Sequence, residues 1–496
     1  MSILKKLAGQ TAIYGVSSIL GRLLNFLLLP LHTTVFAPGQ MGVVTDLYAS
    51  VTFLNVLYTY GMETAFFRHV GQFGNKSFST ATTSILLSST VFSAVIWIFQ
   101  DDYAGYFGYD DKGWLVACLA VVVWIDSILA IPFARLRQEN QARRFAIYRI
   151  ISIVAMVGLN AFFLLFCKSI AEGEFLPSLQ GSIGLIYNPE IGVGYVFLSN
   201  LLGNVILLLV SIPIWKGYRP QMDWTMWKQM LYYSLPILLT GLAGMANENL
   251  DKLLFKNLLP ENFYEGINPQ QALGIYGSNF KLSVFMMLAI QAFRYAGEPF
   301  FFNQAEQKDA PELFARILHY FYLSGLLLFV GVSVNLPFIA SLFLRQNAYL
   351  GGLNVVPWLL FAKLLFGVYV NISIWYKLKN KTIMGTYITV AGMLVTIVGD
   401  ILLIPRFGFM GAAIANLACY ALMVLLCYWT GRKHFPVPYR FGPLFVHTLI
   451  AVGVVALSMT LPDMGLFSIA INLLISAAYL AFLYITVRKN LFRASV

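Results

Sequence analysis

RLRQENQARRFAIYRIISIVAMVGLNAFFLLF (135–166) is the stretch whose reading decides the fold. Arg135, Arg137, Arg143, Arg144 and Arg149 crowd its first half, and then charge stops while an apolar run continues to Cys167. A helix needs roughly 20 predominantly apolar residues to cross the hydrocarbon of a bilayer, and this run supplies them. Lys and Arg collect on the cytoplasmic flank of such spans, so the stretch also has a direction. The same character returns at 377–404, KLKNKTIMGTYITVAGMLVTIVGDILLI, where Lys377, Lys379 and Lys381 precede the apolar run. A Gly-rich opening follows each copy, IGVGYVFLSN (191–200) and FGFMGAAIAN (407–416).

Working outward, apolar runs lie near 9–36, 41–67, 79–99, 113–133, 145–167, 191–215, 229–259, 273–302, 313–344, 349–376, 382–404, 409–431, 441–461 and 465–487. They predict an all-α polytopic membrane protein of about fourteen spans. Pro38-Gly39 and the segment Pro405 to Gly408 are the expected breakers at the tightest turns. Every alternate loop is basic, from Lys5 and Lys6 through Arg68, Lys76, Lys216, Arg219, Lys308, Arg316, Arg432, Lys433 and Arg488. Both termini are therefore expected in the cytoplasm. The repeat pairs Asn160 with Asp400 and Asn200 with Asn416, and sets MGVVTDLY (41–48) beside LGIYGSNF (273–280). A repeat of six spans keeps one orientation, so two pseudo-symmetric six-helix lobes are expected at 1–217 and 218–434. A terminal pair, spans 13 and 14, occupies 435–496. Substrate is expected between two such parallel bundles.

Composition agrees: 59% of the 496 residues are hydrophobic and only 11% charged, far below the quarter or so usual in soluble domains. In lipid every backbone polar group must be satisfied internally, and long continuous runs select helices over barrel strands. The net charge of +11 follows the loop alternation and is a sidedness signal, not a nucleic-acid footprint. Cys118, Cys167, Cys419 and Cys427 all fall in apolar runs without CxxC spacing and read as small buried hydrophobes. No cleavable signal peptide is expected, because the run after Lys5 and Lys6 is too long and contains Arg22. No HExxH, GxSxG or Walker pattern is present, and the longest non-cytoplasmic loop covers 168–190. A flat outer face disfavours a membrane polysaccharide polymerase or ligase, so a transporter rather than an enzyme is expected, with no cofactor.

Four segments carry a family likeness: GRLLNFLLLPLHTTVFAPGQMGVV (21–44), YGMETAFFRHVG (60–71), LGIYGSNFKLSVFMMLAIQAFRYAGEPFFF (273–302) and GDILLIPRFGFMGAAIANLACY (399–420). In their order and spacing the chain resembles the polysaccharide exporters, the O-antigen-unit (Wzx-type) flippases, of the multidrug/oligosaccharidyl-lipid/polysaccharide flippase superfamily. The resemblance spans nearly the whole chain. It implies alternating access and a polyprenyl-pyrophosphate-linked oligosaccharide moved from the cytoplasmic to the outer leaflet of the bacterial inner membrane. The partners it implies are that lipid-linked substrate, membrane lipids and polysaccharide polymerase machinery, around a monomeric transporter with no nucleic acid.

Ionisable groups at mid-bilayer cost about 2.5–3.5 kcal/mol each on the insertion scale, so each needs a reason. Arg22, Lys281, Arg294 and Lys363 are the candidate substrate-binding cations, able to hold pyrophosphate oxygens by charge-assisted hydrogen bonds. Arg22 has no acid one helical turn away. Lys281 closes an IYxxxxK pattern, and the resemblance implies that basic residues at these places in spans 1 and 8 line the cavity. Arg294 has Glu298 at i+4, Lys252 has Glu248 at i−4, and both spacings suit local pairs. Lys363 has the option of snorkelling.

The acids are more pointed. Asp251 lies about 13 Å before Pro260 and Asp400 about 7 Å before Pro405, at 1.5 Å per helical residue. With Thr396 and Asn416 they form a candidate Na⁺ or H⁺ coupling site, and the resemblance to the lipid-II flippase branch implies the same. A buried hydrogen-bond network with one Asp protonated is the competing reading. Asp46, Glu63 and Asp126 receive no role, Glu63 being placed near Arg68. The alternatives within the superfamily are a cation-coupled multidrug extruder, which would carry an acid rather than Arg22 in span 1, and a lipid-II flippase, which would be richer in arginine at its start.

Overall fold

A computed structural model describes residues 19–24, 26–461 and 465–494. The described residues are helical with short connections, and their only β feature is an isolated bridge between Tyr264 and Ile267. The main helices are α1 (Ile19–Val35), α2 (Pro38–Thr59), α3 (Met62–Phe73), α4 (Asn75–Ile98), α5 (Gly113–Gln138), α6 (Ala142–Ala161), α7 (Gly194–Val210) and α8 (Trp224–Leu258). They continue as α9 (Pro269–Lys281), α10 (Val284–Gln304), α11 (Ala310–Val334), α12 (Val356–Ile372), α13 (Ile383–Phe407), α14 (Phe409–His434), α15 (Phe441–Met459) and α16 (Leu466–Ala494).

Among the described residues, 10 helices are long and apolar enough to cross a membrane, or 11 with α9 and α10 counted as one span bent by 42°. α1 and α7 are shorter apolar helices. α8 is long enough, but polar residues such as Gln229, Asn247 and Glu248 dilute its apolar stretch. The chain is a multi-pass membrane protein. Its expected first span begins at residue 9, and residues 1–18 lie outside the described residues.

Breakers act where the backbone needs them. Pro38 sits in the first turn of α2, where its missing N–H is harmless. The helix ends within the expected breaker segment, with Pro405 tolerated in the last turn of α13. Gly408 makes the break with φ +54°, a conformation that strains any side chain. Beyond α6 the backbone passes through a π-helical turn, Phe162–Cys167. Beside that turn Gly158, Ala161, Phe162, Leu165 and Phe166 line a shallow groove of about 690 Å³.

Contacts divide the chain into two compact units, Met1–Lys256 and Asn257–Val496. Sequence repetition had set the first lobe boundary at 217/218. Contacts place it later because Met226 and Met230, early in α8, pack into a core with Met62, Ala65, Phe66, Phe78, Ala81, Ile85, Ile131 and Ala134. In the first unit α6 runs along α7, and α5 along α4 and α7. In the second, α14 packs on both α13 and α12, while α11 holds α15 and α16. The apolar window of Asn347–Leu378, which contains α12, is 72% buried and that of Phe467–Thr486 only 11%. α12 is thus the interior helix of its unit, and the last helix faces outward.

Candidate functional site

The second unit builds its site at the meeting of α12, α13 and α14. Small residues set the approach. A Cβ on Gly411 would lie 2.2 Å from the Leu403 carbonyl oxygen, and one on Gly399 would lie 2.8 Å from Ala415 Cβ. Tyr264 then fixes the start of α14: its ring stacks on Phe409 at 4.3 Å and its hydroxyl accepts the Phe409 N–H at 2.9 Å. A side chain at Gly408 would strike that hydroxyl at 2.2 Å. These glycines fix the register of α13 against α14.

That register gathers Thr396 and Asp400 from α13 with Asn416 and Cys419 from α14, all at 2% exposure or less. Thr396 donates its hydroxyl to the Gly392 carbonyl at 3.2 Å and also hydrogen-bonds the Cys419 thiol. The same thiol feels the charges of both Asp400 and Lys363. Lys363, from the middle of α12, is 1% exposed and holds its ammonium 5.0 Å from the Phe280 ring centroid and 5.4 Å from that of Tyr420. Rings at that range stabilise a cation by roughly 0.5–2 kcal/mol. Of the four expected coupling residues, Thr396 thus touches the Cys419 thiol, while Asp400, Asn416 and Lys363 are buried in the same unit. The sequence had shown Cys419 only as a buried apolar residue; its signal was the i+3 spacing from Asn416.

The fourth, Asp251, belongs to the first unit. It is 2% exposed, and its Oδ1 accepts the Lys252 ammonium at 3.2 Å and the Lys252 backbone N–H at 2.9 Å. Lys252 also donates to the Glu248 carbonyl oxygen at 2.9 Å. The expected Glu248–Lys252 contact thus includes the Glu248 backbone carbonyl, with Asp251 the carboxylate in an ion pair with Lys252.

The other expected cations lie apart in character. Arg22 is exposed on α1, next to Gly21, whose absent side chain lets Ile153 of α6 approach. Lys281 is half-buried at the last residue of α9. Arg294 and Lys377 share the Glu298 carboxylate, at 3.8 and 2.5 Å, so the local pair suggested by spacing forms and gains a second base.

Two ion pairs of the first unit join distant parts of the sequence. Asp46 on α2, fully buried, accepts Lys256 at 2.5 Å and the Tyr109 hydroxyl at 3.0 Å. Lys256 also donates to the Phe107 carbonyl at 2.6 Å. Glu63 pairs with Arg137, whereas its expected neighbour Arg68 lies over the Tyr233 ring at 4.3 Å. Asp126 hydrogen-bonds Asn204 within the charge of Arg149. None of these partnerships had a local sequence signal, because the partners are 63 to 210 residues apart in the two pairs of Asp46.

A family model described as "Polysaccharide biosynthesis protein" matches residues 35–171. No curated protein matches the chain in sequence. Among solved structures, the lipid II flippase MurJ in an inward closed conformation matches with TM-score 0.73 at 14% identity, covering 97% of this chain and 100% of that one. An inward-facing multidrug resistance MATE family transporter matches at 0.60 and 14% identity, over 86% and 96% of the two chains. A point mutant of the Vibrio cholerae MATE transporter VcmN matches at 0.58 and 12% identity, over 87% and 98%. At such identities these likenesses establish the fold, and the proteins that share it are transporters and flippases by name. The chain thus resembles the polysaccharide biosynthesis family over residues 35–171, within a fold that it shares over most of its length with a flippase and with multidrug transporters.

Proposed function

We propose that the chain flips polyprenyl-pyrophosphate-linked oligosaccharide units from the cytoplasmic to the outer leaflet of the bacterial inner membrane. It does so by alternating access, drawing on an ion gradient and with both termini cytoplasmic. The match of residues 35–171 to the polysaccharide biosynthesis family carries this reading, and the MurJ-like fold over 97% of the chain supports it. Arg22 and Lys281 hold the pyrophosphate. One is exposed and the other half-buried, so both are reachable, and a guanidinium or ammonium in a membrane protein binds such oxygens by charge-assisted hydrogen bonds. Arg294, 59% exposed beside Glu298, serves as an accessory contact. Polysaccharide polymerase machinery downstream would consume the flipped unit.

Arg22→Ala and Lys281→Ala are each expected to abolish surface polysaccharide in a complemented deletion strain while leaving membrane levels of the protein unchanged. Normal surface polysaccharide in both variants would sink the assignment of these two residues. Flipping of a lipid-linked oligosaccharide in proteoliposomes tests the activity itself. The MATE matches favour a second reading, cation-coupled drug extrusion. A deletion strain that keeps its surface glycan but becomes drug-sensitive would establish that one instead.

A further inference from the structure

We infer that residues 175–187, between α6 and α7, lie in the interfacial layer of the bilayer, where lipids cover them and fill the groove beside the π-helical turn. This connection differs in composition from its neighbours. From Phe175 to Pro189 it carries no charged side chain, and Glu172, Glu174 and Glu190 stand only at its two ends. The connection between α4 and α5 instead carries Asp101, Asp102, Asp110 and Asp111, and that between α7 and α8 carries Lys216, Arg219 and Asp223. Water solvates such segments readily. In the uncharged stretch, by contrast, Phe175, Leu176, Leu179, Leu185 and Ile186 are exposed, Leu185 at 89% and Ile186 at 60%. A cluster of exposed large apolar side chains marks a surface that something other than water covers.

The adjoining surface identifies that cover as lipid. The apolar window of the span Ala142–Ala171 is only 22% buried, so most of α6 and the turn beyond it faces the bilayer. Its exposed Phe162, Leu165 and Phe166 line one groove with Phe175, and the Phe166 and Phe175 rings meet edge to face at 6.0 Å. The uncharged stretch is thus continuous with a lipid-facing helix. Its own conformation is tied down. Tyr187 stacks on Tyr195 at 4.9 Å and Tyr195 on Phe163 at 4.8 Å. The Asn188 N–H donates to the Tyr195 hydroxyl at 2.7 Å, and the Gln180 amide to the Ala171 carbonyl at 2.9 Å. These ties accompany the burial of Ile183 and Tyr187, while Leu179, Leu185 and Ile186 stay outside. Tyrosines suit the headgroup level of a membrane, and a short apolar segment with polar flanks gains by lying in the interface plane. The groove is apolar except for Ser169 and Glu174, and the space over Gly158 is open. An acyl chain makes no hydrogen bonds and so suits such walls.

The inference needs only a multi-pass membrane protein and stands apart from the exporter reading. Its test is nitroxide labelling of Gly158→Cys, Leu179→Cys and Leu185→Cys, with Asp102→Cys as the water-facing reference. Each is made in the full chain with its four native cysteines replaced by alanine, and reconstituted in vesicles of phosphatidylethanolamine and phosphatidylglycerol. Collisions with oxygen, which concentrates in hydrocarbon, are compared with collisions with a water-soluble nickel chelate. The ratio of oxygen to nickel collisions is expected to be severalfold higher at all three positions than at Asp102→Cys. The reference ratio at Leu179→Cys and Leu185→Cys would place the stretch in water and overturn the proposal. Shielding of those two labels from both reagents would mean a protein cover, a second copy or another partner, and would overturn it as well. If the cysteine-free chain does not fold, the unaltered protein decides, in vesicles that contain a phospholipid with a diazirine on its acyl chain. Carbene insertion into residues 175–187 on illumination supports the assignment, and insertion into the spans but not into that stretch rejects it.

Discussion

The two hairpins that repeat in sequence, α6–α7 in the first unit and α13–α14 in the second, use one scaffold for two chemistries. Each has a glycine where its helices cross: Gly203 faces Met156 in one, and Gly399 faces Ala415 in the other. Each has polar residues at the paired positions. In the first hairpin these are neutral amides. Asn160 Oδ1 lies 3.0 Å from His32 Nε2, while its amide donates to the Met156 carbonyl at 2.9 Å. Asn200 donates to the Tyr48 hydroxyl at 2.9 Å. In the second hairpin the counterpart of Asn160 is Asp400, a fully buried carboxylate. Packing is therefore not what separates the halves. What separates them is a buried carboxylate where the first hairpin has an amide.

The comparison can be broken by experiment. Its largest expected effect is Asp400→Ala, which removes a fully buried carboxylate and the contacts it makes and should cost about 2–3 kcal/mol of stability. Asn160→Ala should cost only about 1 kcal/mol. Thermal unfolding in detergent measures both, and equal losses would erase the distinction between the hairpins. Next is Gly411→Ala, whose new methyl group would meet the Leu403 backbone carbonyl at 2.2 Å and should cost about 1–3 kcal/mol by overpacking. Gly203→Ala meets Met156 at 3.1 Å, a contact that gives more easily, and should lose less in the same melt. The smallest effect is expected for Asn200→Ala. It forfeits the Tyr48 hydrogen bond, about 0.5–1.5 kcal/mol, with surface polysaccharide unchanged. Loss of export in that variant would assign the first hairpin a role beyond scaffolding.

Helix positions were legible in the sequence because a bilayer imposes one length and one polarity on each span. Sidedness was predicted from Arg135 to Arg149 and from Lys377 to Lys381, since loop charge follows a simple rule. Thr396, Asp400 and Asn416 stood out as polar residues in apolar spans, and each is buried. Lys363 was read as a substrate-binding cation with the option of snorkelling, and its inward burial was not legible. Its helix carries no acid near it in sequence, and whether a mid-span lysine snorkels or turns inward depends on which helix is interior. That became visible only in the burial of α12. Asp46 with Lys256 failed for a related reason: a pair separated by 210 residues leaves no spacing to read. The breaker segment Pro405 to Gly408 was legible, and within it the positive φ of Gly408 makes the break while Pro405 is tolerated in the last helical turn.

The π-helical turn at Phe162–Cys167 has a consequence for protein engineering. Its i→i+5 bonding holds one residue more than an α-turn would, so everything beyond it is rotated relative to Asn160. The extra residue points Phe162 and Phe166 outward, at 37% and 41% exposure, and turns Phe163 and Cys167 inward. Deleting one residue from the turn should restore regular pitch and re-aim the helix end, leaving Asn160 and His32 untouched. The outer end of this helix is thus a natural phase adjuster, a place where a designer can rotate a membrane-facing surface without rebuilding the unit beneath it.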